Sequence, residues 1–302
     1  MQKVQVLMST YNGEKYLKEQ IDSILAQECV EVNLIVRDDG SKDKSVEILR
    51  EYHKENKITL FEGENIGYRK SFLWLLDNAP ESEFYAFADQ DDVWQNDKII
   101  SAVRKIQEED SDKPILYTSA LTCVDAELNF LREQNFDSLK LNIYSEVVRH
   151  RFAGCTYLFN KKLRDICVGL STVQEMKYGH DGYLSLMCWF SGGKTIYDSS
   201  SHILFRRHGD NASVDGLGTV ARIKKEFAFL NKLKCQKSDV MQVILSYKKS
   251  AISSEFMEFA EDIASYRSNR KAKHRLLRDK RLDCGIRTAN ILFKFSILIG
   301  CM

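Results

Sequence analysis

Five apolar residues in a row, Phe84-Tyr85-Ala86-Phe87-Ala88, stop at Asp89-Gln90-Asp91-Asp92. The run reads as a buried strand and the carboxylates as the loop at its C-terminal end. In open α/β sheets that edge is where ligands bind. Three ionised carboxylates within four residues repel one another. A divalent cation such as Mg²⁺ or Mn²⁺ would neutralise them and bring a phosphate-bearing ligand with it. On its own, such a triplet is more simply an acidic turn capping the next helix, with Asp97 beside Lys98 at its start. The flanking sequence favours a ligand site.

Val4 to Met8 is a predicted first strand, ending in the polar turn Ser9-Thr10-Tyr11-Asn12-Gly13, and Glu14 to Gln27 has helical spacing. Val32 to Val36 is a second strand that runs into Arg37-Asp38-Asp39-Gly40-Ser41. A helix over Asp43 to Glu55, a short strand at Ile58 to Phe61 and a helix from Asn65 through Leu76 follow. After the aromatic strand come a helix from Asp97 to Glu109 and a strand at Ile115 to Thr118. Strands alternate with helices, and each connection is long enough for a right-handed parallel crossover, so the fold is a doubly wound α/β layer. Parallel strands place Thr10-Tyr11-Asn12, Asp38-Asp39 and Asp89 to Asp92 on one sheet edge, which points to a nucleoside-diphosphate pocket. There is no GxGxxG and no GxxxxGK[ST], which argues against a Rossmann dehydrogenase and a P-loop NTPase.

These segments, with Glu64-Asn65-Ile66-Gly67 and Ala88-Asp89-Gln90-Asp91-Asp92-Val93-Trp94 followed by Asp97-Lys98, resemble the family-2 glycosyltransferases of the GT-A fold over about residues 3–215. The Asp-Gln-Asp-Asp-x-Trp form is most similar to bacterial rhamnosyltransferase-like members that build surface polysaccharides. The resemblance implies a GT-A domain over 1–218, with a nucleotide-sugar half over about 1–118 and an acceptor half over about 119–218. A helical region over 219–302 follows. It also implies roles. Thr10, Tyr11, Asn12 and Asn65 would line the nucleotide site, and Asp39, with Asp38, would accept a hydrogen bond from the base. Asp89 and Asp91 match the DxD carboxylates, Asp91 on a divalent cation and Asp89 on the cation or the donor sugar. Asp181, in Gly179-His180-Asp181-Gly182 before an apolar helix from Leu184 to Phe190, matches the general base; from its position alone it would be a helix N-cap. His180 would give local support. Arg206-Arg207-His208 and the following Asn211 resemble the segment closing over the donor phosphates, with His208 on the metal or the diphosphate and Arg206 or Arg207 offsetting charge. Gly209 to Thr219, rich in Gly, Asn, Asp and Ser, would be a lid.

Further strands are predicted at Phe152 to Phe159, with Gly154 where another backbone or a substrate comes close, at Thr195 to Tyr197 and at Ile203 to Phe205. Helical patterns cover Val220 to Leu233, Val240 to Lys249 and Phe256 to Tyr266. The net charge of +1 gives no field for nucleic acid, yet Arg267 to Arg287 holds nine Lys/Arg against two Asp. The apolar stretch from Ala289 to Met302 is shorter than the ~20 residues that span a bilayer. Basic then apolar residues suit the surface of an anionic membrane, where a lipid-linked acceptor would lie; a tail packed on the domain or on a second subunit is the plainer alternative. Eight cysteines without CxxC spacing read mostly as small buried thiols in a reducing cytosol, and the N-terminus enters a strand without a signal peptide. The sequence therefore predicts an inverting, metal-dependent transfer of a sugar from a nucleoside diphosphate, in the cytoplasm at the inner face of the plasma membrane. A nucleotidyltransferase and an inactive glycan-binding scaffold of the same fold are the rival readings.

Overall fold

A computed structural model of the chain describes residues 1–137, 139–176, 178–207 and 236–302. His208, the predicted lid and the predicted helix over Val220 to Leu233 lie outside the described residues.

The described residues fall into two units. The first comprises Met1–Asp137, Phe152–Val173 and Gly179–Arg207. Its strands are β1 (Gln2–Thr10), β2 (Val30–Asp38), β3 (Ile58–Glu62), β4 (Phe84–Ala88), β5 (Val93–Trp94), β6 (Ile115–Val124), β7 (Phe130–Gln134), β8 (Leu158–Asn160) and β9 (Lys194–Arg206). They form one mixed sheet in the order β3-β2-β1-β4-β8-β6-β9-β5, with β7 paired to β6. The helices of this unit are α1 (Leu17–Leu25), α2 (Ser45–Lys54), α3 (Tyr68–Asn78), α4 (Lys98–Gln107), α6 (Lys161–Cys167) and α7 (His180–Phe190). Each buries the face its sequence spacing marks: α1 presents Leu17, Gln20, Ile21 and Ile24 to the core, the i, i+3, i+4, i+7 pattern. Val4, Val6, Leu7 and Met8 of β1 are fully buried, as expected of a central parallel strand.

Register decides where the loops leave. In the parallel ladders Thr10 stands opposite Asp38, Asp38 opposite Glu62, and Met8 opposite Ala88. The polar ends of β1, β2 and β4 therefore emerge side by side, as the alternating pattern required.

Two expectations fail. The segment Phe152 to Phe159 is not a continuous strand: Gly154–Thr156 forms a 3₁₀ turn and only Leu158–Asn160 pairs, antiparallel to both β4 and β6. The Thr156 hydroxyl bonds back to the Ala153 carbonyl (2.7 Å) and meets the Thr118 hydroxyl (2.7 Å), a local alternative to the sheet ladder. The two strands predicted at 195–197 and 203–205 are one, β9. Register shifts against β6 around Ser119 and Ala120 absorb the polar residues between them, and the buried Asp198 accepts bonds from the Tyr117 hydroxyl (2.9 Å) and the Ser200 amide (3.0 Å).

The second unit holds the described parts of Ser138–Arg151, Gln174–Tyr178 and His208–Met302. It is helical: α5 (Ile143–Val148), α8 (Gln236–Tyr247), α9 (Ser254–Ser265), α10 (Arg270–Arg278) and α11 (Arg287–Leu298). The Tyr144 ring packs on Phe259 at 5.0 Å and under the Arg281 guanidinium at 4.3 Å, which ties α5 to the C-terminal helices. Among the described residues no helix is long and apolar enough to cross a membrane.

Candidate active site

The walls of the site are built first by backbone donors that need partners. After β2, Asp38 is buried and accepts from the Thr10 hydroxyl (3.0 Å), the Gly40 amide (3.0 Å), the Ser41 amide (2.8 Å) and the Ser41 hydroxyl (2.5 Å). A carboxylate offers about four acceptor positions, so Asp38 is saturated by its own turn. Asp39, also buried, pairs with the Arg37 guanidinium and accepts from the amides of Ile66 (2.9 Å) and Gly67 (2.8 Å). It thereby fixes the Asn65-Ile66-Gly67 loop across the sheet edge and keeps about one acceptor position unused. Asn65 is exposed, and its carbonyl oxygen accepts from the Gly67 amide at 3.2 Å.

The turn after β1 is stitched to the acidic loop. Gln90 accepts from the Tyr11 amide (2.8 Å) and donates to the Tyr11 carbonyl (3.1 Å). A Cβ on Gly13 would sit 2.5 Å from Gln90 Oε1, so this clasp needs glycine there. Asn12, in the left-handed region at φ 49°, accepts from the Lys42 amide (2.9 Å), and its own amide donates to the Ser41 hydroxyl (2.9 Å).

The acidic loop is held from below. Gln20 of α1 donates to the Asp89 carbonyl (2.9 Å). Arg206, at the end of β9 and 2% exposed, donates to the Asp91 carbonyl (2.9 Å) and to the Ala126 carbonyl, pairs with Glu19, and lies 4.4 Å from the Tyr16 ring centroid. Its backbone amide donates to Asp92 Oδ1 (3.1 Å). Arg206 thus braces the loop from within the protein. Lys98, also buried, sits 4.0 Å over the Trp94 ring; burial lowers its pKa to about 8, against the pull of Asp92. Asp97 precedes α4 without capping it through its side chain, and instead meets His202 at 3.1 Å.

Asp181 is not an N-cap. Gly179 holds that position, and Asp181 lies in the first turn of α7, partly buried, accepting from the Gly182 amide at 2.8 Å. His180 is stacked on Phe72 (3.9 Å) and edge-on to Phe87 (5.0 Å), which anchors the start of the helix. Gly154 passes so close that a Cβ there would be 2.9 Å from His180 Nε2 and 3.2 Å from the Asp181 Cβ.

These elements bring Asp89, Asp91 and Asp181 to one place. Asp89 is pushed up to about 7 by burial, then by the charges of Asp91 and Asp181. Asp92, fully buried, is also held well above the usual carboxylate range by burial and by Asp91 and Asp89. The oxygen donors of Asp89 and Asp91 suit a hard dipositive ion, which would relieve the repulsion that raises Asp89. Among the described residues, a group that the sequence did not predict comes together here: Asp89, Asp92 and Cys155 each offer one ligand atom within 4.8 Å of the others. Cys155 was among the thiols read as apolar filler; in the structure it faces carboxylates, a contact that nothing in the local sequence signals.

The chain matches Glycosyl transferase family 2 over residues 5–165. It belongs to this family. An uncharacterised glycosyltransferase of Rickettsia typhi is 31% identical over 183 residues, covering 59% of this chain and 56% of that protein. The glycosyltransferase GlyA of Streptococcus pneumoniae is 27% identical over 221 residues, 68% of this chain and 30% of that protein. The dTDP-rhamnosyl transferase RfbG of Shigella flexneri is 33% identical over 102 residues, 32% of this chain and 35% of that protein. The chain thus spans about half or less of the length of these curated relatives. Among solved structures, S. aureus TarS 1–349 in complex with UDP aligns with a TM-score of 0.55 and 16% identity, covering 99% of this chain and 92% of that chain. At that identity the match establishes the GT-A fold.

The charge at Asp89 has a consequence for stability. An acid raised in the folded state binds its proton more tightly there than in the unfolded chain, so it contributes nothing unfavourable below its unfolded pKa near 4. It then costs stability progressively as pH rises toward 7. Asp89→Asn should therefore be more stable than the parent at pH 8 without divalent ions, by ~2 kcal/mol, and the gain should vanish below about pH 4. Urea melts at the two pH values check this; an equal gain at both would contradict the charge origin.

Proposed function

We propose that this glycosyltransferase transfers a sugar with inversion from a nucleoside diphosphate to a hydroxyl of a growing glycan, with Asp181 as general base. The observation that carries this reading is that a Cβ on Gly154 would stand 3.2 Å from the Asp181 Cβ, while the next residue, Cys155, has its Sγ within 4.8 Å of an Asp89 oxygen. A carboxylate from the α7 side thus lies near the carboxylates at the end of β4, where the proposed transfer needs a base. Thr10, Tyr11 and Asn12 frame the nucleotide with Asn65. Asp39, with its unused acceptor position, takes the base N–H, while the saturated Asp38 shapes the turn that holds them.

Asp181 removes the proton from the acceptor hydroxyl as it attacks. It stands in the first turn of α7, partly buried. Asp91 and Asp89 would hold Mg²⁺ or Mn²⁺, which when bound supplies positive charge for the departing diphosphate. His208, outside the described residues, is assigned to the same phosphates by its motif. The likeness to the dTDP-rhamnosyl transferase favours dTDP-rhamnose as donor.

The acceptor, on this reading, is lipid-linked and is met at the inner face of the plasma membrane through the C-terminal helices. In support, Ile291, Phe295, Leu298 and Ile299 of α11 are 42–58% exposed at i, i+4, i+7, i+8 spacing, one face of a helix that follows the basic α10.

Asp181→Asn should lower turnover by about 10²–10⁴-fold while nucleotide affinity stays within about twofold of the parent. Steady-state rates and nucleotide titration on the same preparation separate the two, and parental turnover would remove Asp181 from the role. Ile291→Glu/Phe295→Glu should abolish sedimentation with vesicles containing anionic lipid and leave the soluble fold unchanged; undiminished sedimentation would place membrane contact elsewhere.

A further inference from the structure

We propose that Asp89, Asp92 and Cys155 form a binding site for a thiophilic divalent ion, Zn²⁺ or Cd²⁺, beneath the carboxylates assigned to the hard cation. One ligand atom from each lies within 4.8 Å of the others. Asp92 and Cys155 are fully buried. Asp92 Oδ1 accepts from the Arg206 amide, but its second oxygen, Oδ2, is closed to water and reached by no N–H or O–H donor among the described residues. The polar group facing that carboxyl is the Cys155 thiol. A buried carboxyl oxygen served only by a weak S–H donor is poorly satisfied, and an ion bound there would use it.

The donor chemistry selects the ion. Zn–S bonds are about 2.3 Å and Zn–O bonds about 2.0–2.2 Å, so tetrahedral ligand atoms stand roughly 3.5 Å apart. Closing from the present spacing takes side-chain shifts of about 1 Å. Mg²⁺ and Mn²⁺ favour oxygen donors, whereas Zn²⁺ and Cd²⁺ take thiolate. Binding forms the metal–sulfur and metal–oxygen bonds and releases to solvent the Cys155 proton together with any proton held on the Asp89 and Asp92 carboxyls. Three protein ligands leave one position of a four-coordinate ion open.

Asp89 is common to this donor set and to the hard-ion set of Asp89 and Asp91, so an ion held by Asp92 and Cys155 draws Asp89 away from the hard ion. A thiophilic ion therefore inhibits. That consequence rests on the function proposed above; occupancy of the site does not.

The test is titration of Cd²⁺ into the purified full chain, followed by the ultraviolet thiolate-to-cadmium absorption. The parent should show one saturable band that Cys155→Ser loses and Cys29→Ser, at the exposed cysteine, keeps. Asp92→Asn keeps an acceptor for the Arg206 amide and should weaken Cd²⁺ binding by on the order of tenfold or more. It decides the matter if Cys155→Ser does not fold. A band of parental size and affinity in both Cys155→Ser and Asp92→Asn would overturn the site. With Mn²⁺ present, Cd²⁺ should suppress turnover in the parent at a concentration about tenfold below that needed in Cys155→Ser. A Cys155-dependent band without loss of turnover would overturn the inhibitory consequence while the site itself stood.

Discussion

The pairing of β1 between β2 and β4 is the constraint on which the rest depends. Because the ladders are parallel and in this register, Thr10, Asp38 and Ala88 end their strands along one line. Every loop proposed to touch the donor leaves from that line. A one-residue slip would turn Val4, Val6 and Met8 to the opposite face of the sheet and put Gln5 and Leu7 in their place, so the packing of the strand fixes the geometry of the site.

Concentrating carboxylates on that edge is electrostatically unfavourable, and the protein offsets it in two ways. One is rigid bracing: Arg206 holds the Asp91 carbonyl, Gln20 the Asp89 carbonyl, and Gln90 clasps Tyr11. The other is partial charge compensation by the buried Lys98. What remains is the burial, with the mutual repulsion, that raises Asp89 and Asp92. Unfavourable charge kept in a rigid loop is what a site awaiting a cation and a diphosphate would show.

Periodicity made the parallel half legible. The runs at Val4, Val32 and Phe84 are long, apolar and followed by polar turns, and the structure places them as predicted. The strand signal over Phe152 to Phe159 overstates β8, because Thr156 and Gly154 divert the chain into a 3₁₀ turn through tertiary contacts with Thr118 and α7, leaving three residues to pair. The site was legible where residues cluster in sequence, as in Asp89 to Asp92. It was hidden where partners are distant. From the sequence, Arg206 or Arg207 would offset phosphate charge; that Arg206 braces the acidic loop from inside has no local signal, nor has the place of Cys155 beside carboxylates. Asp38 and Asp39 look equivalent side by side; only the hydrogen-bond count, four against three, separates the one that builds the turn from the one with a position to spare.

If the three strand ends form the proposed donor site, this edge binds a metal ion and a nucleoside diphosphate together. Thermal unfolding of the purified chain with Mn²⁺, with dTDP or UDP, and with each pair tests it most directly, since a ligand that binds only the folded state raises its stability by mass action. The account predicts a shift with one nucleotide plus Mn²⁺ that exceeds the sum of the separate shifts and disappears in Asp91→Asn. No combined shift with either nucleotide, or an equal one in Asp91→Asn, would contradict it.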